Sequence, residues 1–322
     1  MRVLVTGAAG MIGRKLVERL AKDGEIAGQV ISALDLHDII APSKPDAQFP
    51  CDAFAGDLSD PVQIAKLIGR SPDVVFHLAG IVSGEAESDF DLGYRVNFDG
   101  TRALFDAIRL TGTCPRVVFS SSIGVFGGPF PEVIPDEFHT IPLSSYGTQK
   151  LVGEALLTDY TRRGFMDGVG IRLPTICVRP GKANKAASSF FSGIIREPLD
   201  GKEALLPVPR SVVHTHASPR SAVNFLIHAA GLSGETIGPR RCLTMPGVAV
   251  TVGEQIEALE RIAGKEVAAL VREEPDEAVW ALVKNWPTRF EAKRARALGF
   301  EAETSFDDIV RIHIEDELGG RI

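Results

Sequence analysis

The hydrophobic positions of the chain alternate between the period of a strand and the period of a helix. Short β-branched runs predict buried strands at residues 3–6, 30–35, 51–55, 74–78 and 116–120. Longer amphipathic stretches predict helices at residues 11–22, 61–68 and 88–110. Strands that alternate with helices are typical of a parallel sheet covered on both faces. We therefore expect an α/β fold built on a doubly wound parallel sheet.

The regular alternation ends after Ser122, where a loop rich in Gly and Pro begins. A helix is predicted at 146–161 and a strand region at 169–178, and beyond Pro180 the pattern becomes irregular. Helices are predicted there near 188–195, 219–230 and 253–262. Because no stretch has the composition of a flexible tether, we expect residues 1–175 to form the main domain and residues 176–322 to form a smaller region that interleaves with it.

The glycine-rich stretch TGAAGMIG follows the first strand and opens the first helix. Glycine there permits a positive φ and lets the backbone approach a pyrophosphate, which the helix N-terminus favours electrostatically. The sequence therefore predicts a Rossmann-type dinucleotide site with cofactor contacts at Gly7, Gly10, Met11, Ile12 and Gly13. A tight strand-to-helix turn without a ligand is the alternative.

Asp35 stands where the second strand is predicted to end. A carboxylate at this place accepts hydrogen bonds from the adenosine ribose hydroxyls and repels a 2′-phosphate. No Arg or Lys lies immediately beside it, so we expect NAD rather than NADP. The alternative is a solvated acid at a strand end.

The stretch SSYGTQK places Tyr146 and Lys150 on one face if it is helical. A phenol with a pKa of about 10 becomes a base at neutral pH only if its pKa falls by about 3, which corresponds to about 4 kcal/mol. A charge at about 4 Å in an effective dielectric near 20 supplies roughly that energy. We therefore predict Tyr146 as a base assisted by Lys150, with Ser122 aligning the reacting hydroxyl.

Several motifs, in the same order along the chain, resemble the extended short-chain dehydrogenase/reductases, the family of NAD-dependent sugar epimerases and dehydratases. They are TGAAGMIG, GDL at 56–58, HLAG at 77–80, Asn97 in VNFDG, SSS at 120–122 and Tyr146-xxx-Lys150. The resemblance implies catalytic roles for Ser122, Tyr146 and Lys150. It implies further cofactor contacts at Asp57, Leu58, Leu78, Ala79, Gly80, Asn97, Ser120, Tyr146, Lys150, Leu173 and Thr175. For His77 we favour a buried structural imidazole over a catalytic one.

Segments in both halves of the chain resemble, within this family, the NAD-dependent dehydrogenases that oxidise the C2 hydroxyl of a four-carbon sugar acid such as D-erythronate. The segments concerned are IVSGEAESDFDLGYRVN, RLPTICVRPGKANKAASSFFSGIIREPL and HASPRSAV. Such a substrate requires one cation and several short polar groups. The candidates are Ser83, Ser122, Asn184, Lys185, Ser188, His216 and Arg220. Arg220 is the preferred carboxylate ligand and Lys185 the alternative.

Two positions depart from the pattern of these relatives. Phe126 stands where many members have a tyrosine, and Thr215 stands where a bulky aromatic residue is expected. The substrate pocket is therefore expected to differ in shape. Two other functions remain open: a nucleotide-sugar epimerase, and a protein that binds NAD without catalysis.

Composition and charge narrow the remaining possibilities. The net charge of −7 over 322 residues argues against a nucleic-acid or anionic-membrane partner. No secretory signal or membrane span is apparent, and four scattered cysteines form no metal-ligand motif, so we expect reduced thiols, no metal and a cytoplasmic location. By resemblance we expect a homodimer in which the helices at 88–110 and 146–161 of two subunits form a four-helix bundle.

Overall fold

The computed structural model describes residues 1–181 and 188–321 of the chain. Its strands, in chain order, are β1 (Arg2–Thr6), β2 (Glu25–Ile26), β3 (Gln29–Val30), β4 (Ala33–Asp38), β5 (Cys51–Ala55), β6 (Val74–His77), β7 (Arg116–Ser122), β8 (Asp167–Leu173), β9 (Thr175–Ile176), β10 (Ala204–Leu206), β11 (Val213–Ala217), β12 (Cys242–Thr244), β13 (Val248–Thr251) and β14 (Val271–Glu273).

Its α-helices are α1 (Met11–Asp23), α2 (Pro61–Ile68), α3 (Ser83–Ser88), α4 (Phe90–Gly93), α5 (Thr101–Thr111), α6 (Ser145–Arg162), α7 (Ser189–Leu199), α8 (Pro219–Gly231), α9 (Gly234–Ile237), α10 (Val252–Ala263), α11 (Lys265–Ala268), α12 (Glu277–Val283), α13 (Lys293–Ala297) and α14 (Phe306–Glu317). A π-helical turn, Tyr94–Gly100, joins α4 to α5, and a 3-10 turn, Ile123–Val125, follows β7.

Seven parallel strands form the central sheet in the order β12-β8-β7-β6-β1-β4-β5. Successive β1 residues point to opposite faces, so Val3 and Val5 join one apolar cluster and Leu4 joins another. Residues of α1 and α8 fill the first cluster, and residues of α2, α5 and α6 fill the second. The predicted doubly wound α/β fold is confirmed.

A second, smaller core lies beside this sheet. It is built from residues of α7, α10 and α14 with strands β10, β13 and β14. Strand β11 pairs with β9 in parallel and with β13 antiparallel, which gives a three-stranded sheet of its own. Because β9 follows β8 after a single residue, this smaller region joins the central sheet at the end of β8.

The two regions are interleaved in sequence. Strand β12 pairs with β8 and forms one edge of the central sheet, although it comes from residues 242–244. Helix α8 packs on α1 and on β8. A linear division at 175 therefore does not describe the chain: residues 219–244 belong with the sheet domain, and we propose that the smaller region consists of residues 176–218 and 245–321.

The helix predicted at 88–110 is divided into three parts. Helix α4 passes into the π-helical turn Tyr94–Gly100 before α5 begins. Such turns add one residue to a helical turn and occur frequently at functional sites. Asn97 lies in this turn and is only 2% exposed. Within the described residues, no helix has both the length and the apolar character required to cross a bilayer.

Candidate active site

The carboxyl ends of β1, β6, β7 and β8 meet at one edge of the central sheet. In open α/β sheets, this edge is where ligands bind. The loop after β1 is the glycine-rich stretch, the loop after β6 contains Leu78 to Gly80, and β7 ends at Ser122. Motifs that are far apart in the sequence therefore lie together on one surface.

Two of the three loop glycines are required by close backbone contacts. Gly7 has φ 76°, and a Cβ there would lie 2.6 Å from the amide nitrogen of Ala79. A Cβ on Gly13 would lie 2.0 Å from the carbonyl oxygen of Gly7. The loop is therefore packed between helix and strand, as a dinucleotide cradle requires.

The N-terminus of α1 faces outward from this loop. Its N-cap, Gly10, supplies no side-chain hydrogen bond to the first-turn amides. These amides and the helix dipole are suited to a diphosphate. The donor set and the glycine cradle fit a dinucleotide, which Gly7, Gly10, Met11, Ile12 and Gly13 would hold from one side and Leu78 and Ala79 from the other.

The expected role of Asp35 is not supported by its position. It pairs in register with Leu4 in the middle of β1, and it is 1% exposed. Its carboxylate lies 3.0 Å from the guanidinium groups of both Arg2 and Arg70. Strand β4 continues three residues beyond Asp35, so this acid braces the sheet from inside and does not face the cofactor edge.

Asp38, and not Asp35, lies at the end of the strand, where an acid facing the adenosine ribose was expected. It is the last residue of β4, and its Oδ2 accepts a hydrogen bond of 2.9 Å from the amide of Ala9 in the glycine loop. The exposed residues that follow it, Ile39 and Ile40, carry no charge. The argument for NAD over NADP therefore transfers to Asp38. The sequence does contain a signal that the strand continues: polar residues, Asp35 and His37, alternate with apolar residues, Leu34 and Leu36.

Asp57 and Leu58 follow β5 at the same edge. Asp57 accepts hydrogen bonds from the amide and hydroxyl of Ser59 and lies 3.0 Å from Arg95. The backbone hydrogen bond from Ser59, chiefly, lowers the pKa of Asp57. Leu58 is 5% exposed within the sheet core. Their predicted contact with adenine stays a prediction.

Asn97 holds the loop after β6 in place. Its side chain accepts from the amide of Ile81 and donates to the carbonyl of Ile81 and to Gln149. A Cβ on Gly80 would lie 2.8 Å from Asn97 Oδ1 and 3.5 Å from Lys150 Nζ. Gly80 thus lets Asn97 and Lys150 approach the cofactor edge, and the supporting role that the resemblance implies for Asn97 stays a prediction.

Helix α6 begins at the position needed to place Tyr146 beside Ser122. Its N-cap, Ser144, accepts a hydrogen bond from Gly147. A Cβ on Gly147 would lie 2.1 Å from the carbonyl of Gly124, so only glycine allows this approach. The resulting contact brings the phenol of Tyr146 against the end of β7.

Lys150 lies one turn further along α6. Its Nζ donates to the carbonyl of Ser120 at 2.9 Å and lies 5.8 Å from the centre of the Tyr146 ring. Burial lowers the pKa of Lys150 to about 8. The three predicted catalytic residues, Ser122, Tyr146 and Lys150, are therefore brought together at the sheet edge.

Burial raises the pKa of Tyr146, and the hydrogen-bonding Ser122 hydroxyl and the charge of Arg179 act in the opposite direction. We expected Lys150 to supply the lowering charge. Among the described residues, Arg179 also acts on the phenol, and sequence reasoning missed this residue. Its signal was weak, because an arginine after a strand has many ordinary roles.

The other residues predicted for the site lie at several different places in the structure. Ser188 is 8% exposed and accepts a hydrogen bond from Arg179. Ser83 opens α3 near Ile81. The Thr175 hydroxyl is 2.7 Å from Nε2 of His214, and Leu173 pairs in register with Ser122. Asn184 and Lys185 lie outside the described residues.

His216 is not positioned to bind a substrate. It is 0% exposed, its Nε2 lies 2.7 Å from Gln255 Nε2, and it packs edge-on against Phe191 and Phe306. Burial lowers its pKa well below the ordinary value. It is a core histidine. His77 is also structural, as expected, since Thr6 and Thr101 bind its two nitrogens.

Arg220 is also a correction. It opens α8 on the surface, and its guanidinium pairs with Glu315 at 3.0 Å and with Asp316. Both acids come from α14, about 95 positions further along the chain, so no local sequence pattern indicates the pairing. With two carboxylates already bound, Arg220 is not the ligand of a third.

The two departures from the family pattern face the interior. Phe126 is 4% exposed and packs with Ile123 and Ile134, and Thr215 donates to the carbonyl of Thr288 at 2.6 Å. Among the described residues, no group of three His, Cys, Asp or Glu side chains is arranged to hold a metal ion.

Comparison with known proteins agrees with this geometry. Residues 3–218 match the NAD dependent epimerase/dehydratase family. The chain is 48% identical over 320 residues to the D-erythronate dehydrogenase of Cupriavidus necator, covering 98% of each chain, and 38% identical over 318 residues to that of Haemophilus influenzae, covering 99% and 100%.

A solved structure extends the similarity. The structure described as the nucleoside-diphosphate-sugar epimerase from Agrobacterium tumefaciens superposes with a TM-score of 0.97 and 60% identity, over 99% of this chain and 95% of that one. The family match covers more than half of the chain and includes the whole cofactor edge. The chain belongs to the NAD dependent epimerase/dehydratase family.

Proposed function

We propose that the protein is an NAD-dependent dehydrogenase that oxidises the C2 hydroxyl of a small sugar acid, D-erythronate, to 2-oxo-D-erythronate. The observation that carries this proposal is the meeting of Ser122, Tyr146 and Lys150 beside the glycine loop. The near full-length similarity to two proteins named D-erythronate dehydrogenase supports the choice of substrate.

The cofactor proposed for this site is NAD. The glycine loop and α1 would bind its diphosphate, Asp38 its adenosine ribose, and Asp57 with Leu58 its adenine. Lys150 would bind the nicotinamide ribose. When bound, NAD supplies the acceptor for the hydride that leaves C2.

Within this proposal, the side chains of the protein move and hold one proton. Ser122 accepts or donates a hydrogen bond at the substrate hydroxyl and fixes its direction. The Tyr146 phenolate accepts the hydroxyl proton, and the charges of Arg179 and Lys150 stabilise the phenolate. Burial of Tyr146 opposes ionisation, so the nearby cations are required for activity near neutral pH.

The test is the formation of NADH from NAD with D-erythronate. Stoichiometric or greater NADH formation is expected, and Tyr146→Phe is expected to reduce kcat by at least about 1000-fold while NADH binding is kept. Full activity of this variant would contradict the role of the phenol.

A second candidate function is a nucleotide-sugar epimerase, because the similar Agrobacterium tumefaciens structure is described by that activity. Turnover of a UDP-sugar without net NADH would favour it and would sink the dehydrogenase proposal. An NAD-binding protein without catalysis would instead show neither reaction.

We propose a homodimer in which α5 and α6 of each subunit form a four-helix bundle. Leu110, near the end of α5, is 76% exposed, which leaves an apolar side chain for a second copy to cover. Light scattering is expected to give twice the chain mass of 34.6 kDa. Leu110→Glu is expected to shift the protein toward monomer, and a monomeric wild type would refute the proposal.

A further inference from the structure

Arg179 lies just beyond the end of the central sheet, in the segment that follows β9. Strand β8 ends at Leu173, which is in register with Ser122. The Nε of Arg179 donates to the carbonyl of Ile176 at 3.0 Å, and Nη2 donates to the Ser188 hydroxyl at 3.2 Å. These two bonds hold the guanidinium at a fixed place beside the catalytic edge.

No carboxylate pairs with this guanidinium among the described residues. The titratable groups that act on it are Cys177, Tyr146 and Arg196, and none carries a carboxylate. Residues 182–187, KANKAA, contain no Asp or Glu. Neighbouring arginines differ in this respect, because Arg172 pairs with Glu154, and Arg196 pairs with Glu197.

A partly buried cation without a counter-ion is unfavourable, since desolvation is not repaid by a charge partner. Burial accordingly lowers the pKa of Arg179. A cation held beside catalytic side chains without a carboxylate partner is a candidate for binding an anionic ligand. The surroundings of Arg179 are the phenol of Tyr146 and the hydroxyls of Ser188 and Ser192, which are hydrogen-bonding groups suited to a short hydroxylated chain.

We propose that Arg179 determines the specificity of the site by binding the substrate carboxylate through its guanidinium. This inference rests on the proposed function and names the feature of the substrate that is recognised. A planar guanidinium binds a carboxylate through paired hydrogen bonds, which fixes its orientation as well as its position.

The place of Arg179 also accounts for the choice of hydroxyl. Arg179 donates to Ser188 in the segment that follows Leu173, the register partner of Ser122, and its charge acts on the Tyr146 phenol. We therefore expect a carboxylate bound to Arg179 to place the hydroxyl on the adjacent carbon, C2, nearest to Tyr146. Hydroxyls at C3 and C4 lie further from the carboxylate, so we expect oxidation of 2-hydroxy acids and not of 3-hydroxy acids that lack a C2 hydroxyl.

The competing explanation is that Arg179 only braces the chain around β9 and α7. Its own amide donates a hydrogen bond to the Ser192 hydroxyl, and its carbonyl accepts one from Arg196. A brace contributes equally for every substrate. A carboxylate ligand contributes only when the substrate carries the charge, and this difference separates the two explanations.

The experiment compares D-erythronate with its uncharged primary amide. Wild-type kcat/KM is expected to favour the acid by about 100-fold. Arg179→Gln is expected to lower kcat/KM for the acid about 100-fold more than for the amide, so the preference disappears. The amide should lose only what the charge of Arg179 contributes to ionising Tyr146. Arg179→Lys, which keeps the charge but not the fork, is expected to lose about 10-fold for the acid.

The control is Arg261→Gln, on an exposed arginine of α10 that pairs with Asp307. It is expected to leave both substrates and NADH binding unchanged. An equal loss for acid and amide in Arg179→Gln, with NADH binding intact, would overturn the proposal. So would a wild type that does not prefer the acid, a result that does not depend on the folding of any variant.

A binding measurement separates this inference from the proposed function. Oxalate, a dianion without a carbinol hydrogen that could leave as hydride, is titrated calorimetrically into the NADH complex. Oxalate binding that Arg179→Gln abolishes, without turnover of D-erythronate, would sink the proposed substrate and keep the carboxylate site. If the wild type turns over D-erythronate but Arg179→Gln keeps the wild-type affinity for oxalate, the proposed substrate stands and the carboxylate site at Arg179 is refuted.

Discussion

Substitutions of Asp38 and Asp35 test which acid of β4 contacts the cofactor. Both are acids of β4, and only Asp38 lies at the cofactor edge. We predict that Asp38→Asn weakens NADH binding and that Asp35→Asn weakens the fold. Asparagine at 38 keeps an oxygen for the Ala9 amide, so the glycine loop retains its hydrogen bond while the charge is removed.

The expected magnitudes follow from the contacts. Hydrogen bonds to a charged group contribute about 1.5–3 kcal/mol, so loss of the carboxylate at 38 is expected to raise the Kd for NADH by roughly 10- to 100-fold. Removing the charge also removes repulsion of a 2′-phosphate, so the ratio of NADPH to NADH affinity is expected to rise.

Asp35 has a different set of partners. Its carboxylate accepts three hydrogen bonds from two guanidinium groups, whose side chains are 30% and 32% exposed. Because water reaches both arginines in part, we expect Asp35→Asn to cost about 2–4 kcal/mol of unfolding free energy. The midpoint of thermal unfolding is then expected to fall by several degrees, with NADH affinity changed by less than 3-fold.

The assay is fluorescence titration with NADH and NADPH, combined with thermal unfolding of each cofactor-free variant. Asp46→Asn, an exposed acid, serves as the matched charge control. Weaker NADH binding in Asp35→Asn with normal binding in Asp38→Asn would refute the assignment and restore the expectation drawn from the sequence.

Three further outcomes are expected. Burial lowers the pKa of Lys150 in the folded protein from 10.5 to about 8, so unfolding takes up a proton at a pH between these two pKa values. The free energy of unfolding of the cofactor-free protein should therefore rise by up to about 2 kcal/mol from pH 8 to pH 10. Urea denaturation of Lys150→Met should lack this rise, and equal slopes would contradict it. Gly147→Ala, whose Cβ would meet a backbone carbonyl at 2.1 Å, should lower kcat by about 100-fold with NADH binding within 3-fold, whereas Gly253→Ala, with its nearest contact at 3.5 Å, should behave as wild type. Thiol labelling should show fast reaction at exposed Cys114 and none at Cys177, which is 0% exposed and whose pKa burial raises to about 12; a fast phase that survives Cys114→Ser would argue against this arrangement.

Features encoded by short sequence spacing could be predicted. In the turn from β1 to α1, Gly13 is required by a contact with the carbonyl of Gly7 only six residues before it, and Gly7 has a positive φ. Tyr146 and Lys150 share a helical face by simple periodicity. Such constraints are local, so the sequence displays them.

Features that depend on distant partners could not be predicted. Arg220 was expected to bind a substrate carboxylate, but it pairs with two acids of α14. The end of β4 was predicted at Asp35, an acid that is buried because Arg2 and Arg70 from other elements neutralise it. Arg179 became a candidate only when the structure showed that no carboxylate of the described residues pairs with it. Charge compensation is a property of three-dimensional neighbours, and one sequence does not reveal it.

The return of β12 to the edge of the central sheet limits how this protein can be re-engineered. A chimera that exchanged everything after residue 175 would remove β12 and α8, leaving β8 as an unpaired edge and uncovering part of α1. A graft intended to change substrate preference should therefore replace two segments, 176–218 and 245–321, and retain the native chain between them. The same connection implies that a ribosome must release residue 244 before the cofactor sheet can close.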